Sequence, residues 1–434
     1  MLNRAQVFSQ SWPIILANAA IGLAAIVDTF VIGRFEPVAL AGMSAGAAIY
    51  AIIYWGFGFL RMTTAGLSAQ AEGAKDEAAV QSHLYRAVPL GIILGLTIFL
   101  LQFLLIPAGY YFYQGTPETE SAGAIYIQAR LWGLPAYLGL IAIMGWFIGL
   151  GRAGNALVMQ IIFNGLNIVL SFLFVAEFGW GLTGVGIATA VAEWIGLFTG
   201  LVLAVRIIKK RGGIRKQLLR RGNILNVAAL TTLGEANTNI FIRTAALTLG
   251  FTFFSSAAAA QGDLFLSGFH IHLQLITLSA FILDGFANTA EARVGAAFGA
   301  RSRPEFDRAV RLTTEFAYLF GLICSLAIYF LGPWAIDLLT TETDIRDMAK
   351  KYLPFCAMVP LLGAGAYQMD GIFIGITKTK EMRNAGLAAL AIYLAIHFTL
   401  PESLGPTRIW YAFWAYYLAR AATLYFYYPK VRPA

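Results

Sequence analysis

The sequence predicts an all-α integral membrane protein, with twelve transmembrane helices in two pseudo-symmetric six-helix lobes. Three observations predict it. Of 434 residues, 59% are hydrophobic and 12% charged, against roughly 25% charged in an ordinary soluble domain. Apolar segments of about 20 residues, enough to cross a bilayer, recur twelve times along the chain. The second half repeats the first at a constant offset of 226 residues. The same composition excludes a cytosolic enzyme, a disordered chain and a disulfide-stapled scaffold. The two cysteines, Cys324 and Cys356, both lie in apolar stretches.

In chain order the spans cover residues 12–33, 45–70, 84–112, 122–149, 156–176, 182–208, 227–256, 264–295, 310–331, 351–375, 385–400 and 409–428. Strand alternation is absent from all of them, which excludes a membrane barrel. Several exceed the bilayer thickness and imply tilt or extension beyond the lipid. The apolar stretch from Trp12 is too long for a signal-peptide h-region and lacks a small-residue cleavage pattern, so it reads as a span.

The loops between the spans sort by charge. One alternating set carries Lys75 and Arg86, Arg152, the cluster Lys209, Lys210, Arg211, Arg215, Lys216, Arg220 and Arg221, then Arg301, Arg303 and Arg308, Lys378, Lys380 and Arg383, and Lys430 and Arg432. The other set carries Glu36, Glu118 and Glu120, Glu177, Asp263, Asp337, Glu342 and Asp344, and Glu402. Basic loops face the cytoplasm, which predicts that both termini lie inside. The net charge of +8 is then a topology signal and not a nucleic-acid footprint.

The repeat aligns Gly42 with Gly268, residues 72–75 with 298–301, residues 145–149 with 371–375, and Arg152 with Lys378. Six spans per half makes a parallel repeat, with a pseudo-two-fold axis along the membrane normal. Residues 1–208 form the predicted N-terminal lobe, 209–226 a basic cytoplasmic linker and 227–434 the C-terminal lobe. Two like halves around a central cleft suit a transporter.

Ionisable and polar residues at membrane depth are the candidate functional sites, because each costs several kcal/mol unless paired or hydrated. Asp28 lies in the first span, which Pro13 can bend. A carboxylate there can exchange a proton near neutral pH, ligate Na⁺ or neutralise a cationic substrate. Gln160, Asn164, Asn167 and Ser171 fall on one face of the fifth span, and Thr189 and Glu193 on one face of the sixth. The eighth span carries Asp284, Asn288 and Glu291 on one face, and Asp370 lies in the tenth. Arg61, Arg243 and Arg293 are candidate partners for these carboxylates, with Arg61, Glu193, Glu291 and Arg293 reading as gate or structural charges. His270 and His272 are two residues apart and point to different helix faces, so they read as structural and not as a metal pair. No Walker A loop, H-E-x-x-H, C-x-x-C or G-x-S-x-G motif occurs. Transport would then use an ion gradient or run downhill, without a cofactor. One proton crossing about 100 mV yields about 2.3 kcal/mol, enough for roughly fiftyfold accumulation.

Residues 27–33, 59–70, 167–170, 192–193, 283–287 and 370–375 carry a further signal. Together they resemble the MATE (multidrug and toxic compound extrusion) family, and most closely its DNA-damage-inducible F (DinF) branch. The resemblance implies a V-shaped, monomeric transporter of two six-helix lobes that exports amphipathic or cationic compounds in exchange for H⁺ or Na⁺. It implies that Asp28 binds the coupling ion, that Asn167 and Thr189 are its partners, and that Pro13 bends the first helix. Ser171 departs from the branch, which usually has Asp there. Loss of that carboxylate weakens a Na⁺ site and favours H⁺ coupling through Asp28. A second cation site at Asp370 and a lipid-linked substrate, as in flippases of the same superfamily, are the alternatives.

Overall fold

A computed structural model describes residues 2–35, 39–113, 115–219 and 226–433. Glu36, Arg220 and Arg221 of the predicted loop charges lie outside the described residues. Every predicted span falls on helix. The first is α1 (Arg4–Phe35). The second divides into α2 (Leu40–Gly56) and α3 (Phe59–Gly73), and the third into α4 (Glu77–Leu100) and α5 (Gln102–Tyr113). The fourth divides into α6 (Pro117–Leu131) and α7 (Leu134–Gly149). The rest are α8 (Ala153–Phe172), α9 (Gly181–Lys210), α10 (Val227–Ala259), α11 (Asp263–Gly299), α12 (Arg303–Leu339), α13 (Thr343–Gly375), α14 (Thr379–Thr399) and α15 (Thr407–Val431).

Seven of these helices are individually long and apolar enough to span a bilayer among the described residues, and α6 with α7 passes as one span bent by 55°. Three of the predicted spans are divided, each into two helices. Gly56 and Gly58 bracket the first break, where missing side chains leave the helix least supported. Gly133 and Pro135 mark the third, since proline cannot donate to the carbonyl four residues back.

The chain divides into two compact units, residues 16–234 and residues 1–15 with 235–434. The first fifteen residues count with the C-terminal half, because Val7 packs with Phe286, Leu312 and Ala317. Ser11 and Thr289 share a 2.7 Å hydroxyl hydrogen bond, and Arg4 pairs with Glu315 at 2.9 Å.

Within the 16–234 unit, α7 is the central helix, packed on α3, α4 and α9, while α8 packs on α9 and α2 on α6. Trp146 and Phe147 are wholly buried there, and the Trp146 indole donates to the Val80 carbonyl at 2.9 Å. The predicted linker begins as ordered structure. Arg211 reaches Glu72 at 2.5 Å and also Glu77, and the Gln81 side-chain amide donates to the Gly213 carbonyl at 3.1 Å. Burial works against the Arg211 charge, but the two glutamates more than offset it and hold its pKa above the usual value.

In the other unit α13 takes the place of α7, packed on α11, α12 and α15. Its core is aromatic, with Phe254 and Phe413 stacked at 3.6 Å between centroids and Trp410, Tyr416 and Tyr417 fully buried.

The repeat is visible in backbone detail. A methyl group on Gly145 would collide with the Arg61 carbonyl, and one on Gly149 with that of Ala65. The same is true of Gly371 against Ala287 and Gly375 against Glu291, each residue 226 further on. Lys75 and Arg301 share a left-handed backbone, at φ 56° and 53°, as do Gly151 and Thr377, at 65° and 53°. Helix pairs meeting backbone to backbone across glycine are the close-packing solution for membrane bundles.

Candidate functional site

The polar residues of the 16–234 unit converge. Ser171 Oγ of α8 donates to Asp28 Oδ1 of α1 at 2.7 Å, and Asp28 is buried to 8% exposure. Four residues earlier on the same face, Asn167 Nδ2 donates to Thr189 Oγ1 of α9 at 2.8 Å. The Thr189 hydroxyl donates in turn to the Val185 carbonyl at 3.0 Å. Gln160 and Asn164 continue the face and are also buried. A polar stripe on an apolar helix has to face protein or water, and here it faces protein. The structure therefore brings Asp28 to Ser171 and Asn167 to Thr189 as two adjacent pairs. Directly after Ser171 the helix opens into a π-helical turn, Leu173–Glu177, closed by a 3.2 Å bond from Phe178 N to the Leu173 carbonyl. Such turns carry i→i+5 bonds and concentrate at functional sites.

Pro13 lies inside α1, which runs across it without interruption.

Glu193, one turn beyond Thr189, is fully buried, and neither carboxylate oxygen has a hydrogen-bond partner among the described residues. Beside it is a group the sequence reading missed. The Arg130 guanidinium, at the end of α6, lies 4.2 Å above the Tyr50 ring and donates to the Tyr126 hydroxyl at 2.5 Å. Its charge acts on Glu193 and on Asp28. The signal that could have found it was an arginine three residues before a Gly-x-Pro break inside an apolar span.

In the other unit Asp370 is tightly held. Its Oδ2 accepts from Arg243 and, at 2.8 Å, from Arg420, the latter another residue the sequence reading missed. Arg420 lies 5.2 Å from the Tyr417 ring centroid and 5.7 Å from that of Tyr367. Asp284 and Asn288 are half-buried on α11 and Glu291 is fully buried. Arg293, expected to face a carboxylate, instead donates to the side-chain carbonyl of Gln10 at 2.7 Å. The reason is that residues 1–15 pack into this unit. Arg61 is half-buried on α3. His272 bonds the Ala349 carbonyl at 2.8 Å, and no cluster of metal-ligating side chains occurs among the described residues.

The MatE family model matches residues 13–173 and again residues 240–399, the two halves of the repeat. The chain belongs to the MATE family. This is a family of multidrug and toxin efflux transporters, so the chain is a multi-pass membrane transporter. DNA damage-inducible protein F of Escherichia coli (strain K12) is 32% identical over 95% of this chain and 89% of its own length. The probable multidrug resistance protein NorM of Acinetobacter baylyi is 23% identical, covering 93% and 91%. A solved outward-facing multidrug resistance MATE family transporter superposes with a TM-score of 0.86 at 19% identity, covering 99% of this chain and 96% of that one. The MATE fold expected from the sequence is thereby shown.

Proposed function

We propose that this MATE transporter exports amphipathic or cationic compounds in exchange for protons, with Asp28 as the coupling carboxylate. The carrying observation is the 2.7 Å bond from Ser171 to Asp28. Asp28 is buried beside the Ser171 hydroxyl, and among the described residues no second carboxylate is hydrogen-bonded to it. A hard cation wants several charged oxygens around it, whereas a buried carboxylate held by one hydroxyl needs only a proton to become neutral. Arg130 supplies a countercharge when that proton leaves. Asn167 and Thr189 hold the adjoining helices α8 and α9 in register and keep the stripe polar. On the other side of the repeat, Asp370 already carries two guanidinium partners, which argues against a cation site there. Asp284 and Asn288, half-buried, and Gln160 and Asn164, which are buried in this structure, are proposed to meet substrate during the transport cycle.

The resemblance to DinF and NorM proteins supports the substrate class. The charge alternation of the loops supports an inner-membrane location with both termini cytoplasmic. We propose further that it acts as a monomer without a cofactor, and that Pro13 lets α1 bend during the cycle.

The test is efflux of a fluorescent lipophilic cation from proteoliposomes under separate pH and Na⁺ gradients. Wild type is expected to respond to the pH gradient alone, and Asp28→Asn to lose at least tenfold in rate. Ser171→Asp is expected to acquire a Na⁺ response. Full-rate pumping by Asp28→Asn would overturn the assignment. Movement of lipid-linked sugars without efflux of the dye would replace it with the flippase reading.

A further inference from the structure

We propose that Glu193 is a second proton-carrying carboxylate of the 16–234 unit, coupled to Asp28 through the Arg130 guanidinium. The inference rests on the proton-coupled reading of Asp28, and its experiment is separable from that reading.

Three observations carry it. Glu193 is fully buried, and neither oxygen is hydrogen-bonded among the described residues. An ionised carboxylate in that position has given up its hydration shell without replacement donors, whereas the neutral acid pays far less for the same burial. Second, Glu193 Oε2 sits against the break in the fourth span. A methyl group on Gly133 would collide with that oxygen. At this break α6 and α7 diverge by 55°, and Pro135 leaves the Leu131 carbonyl without its helical donor. Interrupted membrane helices with free backbone polar groups recur where ions are handled. Third, the charge of Arg130, three residues before Gly133 at the same break, acts on both Glu193 and Asp28.

The groups facing Glu193 can be named element by element. α6 contributes Arg130 and Tyr126, and α2 contributes Tyr50, each felt electrostatically by or through the same cluster. α1 contributes Asp28, linked through Arg130 and Tyr126. α7 also packs on α9 and has Tyr137 as its ionisable residue, α8 bears amides and a hydroxyl, and the π-helical turn ends on the exposed Glu177.

Two carboxylates and one guanidinium are electrically neutral when the acids share one proton. A second proton leaves the cluster at +1, which repels a cationic substrate. Loss of both leaves it at −1, which attracts one. Glu193 thus gives the unit a two-step charge cycle that Asp28 alone does not supply.

The experiment is an equilibrium one on the purified full-length protein with ¹³C-labelled glutamate. Infrared difference spectra between acidic and alkaline buffer are recorded alongside proton uptake with an indicator dye. A label-sensitive carboxylic-acid C=O band is expected in wild type, retained in Glu291→Gln and absent from Glu193→Gln. Proton uptake should fall by one per molecule in Glu193→Gln, and by one in Asp28→Asn. If Glu193→Gln does not fold, Glu193→Asp should remove the glutamate-label band in the same way. Absence of the band from wild type, or its persistence in either Glu193 variant, would overturn the proposal. No gradient is imposed, so Na⁺-driven efflux would sink the coupling reading of Asp28 and leave this result intact.

Discussion

At the scale of single residues, the membrane interior sorts charge into two kinds of site. Asp370 is saturated, with two guanidiniums converging on one oxygen, and Asp28 is not. Breaking a buried ion pair typically costs about 3–5 kcal/mol, because the remaining charge is stranded. Arg420→Ala leaves Asp370 its Arg243 partner, whereas Asp370→Ala strands two cations. Asp370→Ala is therefore expected to lower the thermal unfolding midpoint more than Arg420→Ala does. The reverse order in a melting assay would show that the cluster is not an ion-pair lock. Much of the Asp28 site was legible in the sequence, since a carboxylate and a four-residue polar stripe stand out on apolar helices of fixed period. Arg130 and Arg420 were not. Their partners lie on other helices, at sequence separations such as the 50 residues between Arg420 and Asp370, and helical periodicity encodes only what lies within one helix.

At the scale of elements, span positions followed from hydropathy, while the breaks within spans did not. A break depends on whether neighbouring helices satisfy the backbone that a glycine or proline frees, as at Gly133 and Pro135. The turns after α3, α7, α11 and α13 are different, because their left-handed residues are dictated by geometry and filled by whatever side chain the sequence offers. Thr377 pays most for this, as a β-branched residue at φ 53°. Its counterpart in the other half is Gly151. Thr377→Gly is expected to stabilise the protein by about 1 kcal/mol, and Gly151→Thr to destabilise it by about 1–2 kcal/mol. Opposite shifts in thermal midpoint would be the check, and shifts of the same sign would show that turn strain is not the controlling term.

At the scale of the whole molecule, the duplication predicted from sparse identities holds down to carbonyl–glycine contacts, but the boundary between its halves does not follow the linker. The first fifteen residues belong with residues 235–434, held by Val7, Ser11 and Arg4. The sequence could not reveal this, since amphipathic character states that a helix has a partner face and not which helix supplies it. Deletion of residues 2–8 is accordingly expected to destabilise the unit that contains Trp410 and Trp414. A fall in the thermal midpoint followed by tryptophan fluorescence would register it, and an unchanged melt would show that those contacts are dispensable.

The paired glycine seams have an evolutionary consequence. Gly145 and Gly149 meet the same obstacle as Gly371 and Gly375, so a mutation that enlarges any of them is opposed by main chain, which cannot be repacked by a compensating side-chain change. Drift elsewhere has erased most of the resemblance between the halves. A complete scan of single substitutions should therefore recover the ancient duplication as an echo in fitness, with intolerant sites recurring 226 residues apart where the letters between them no longer agree.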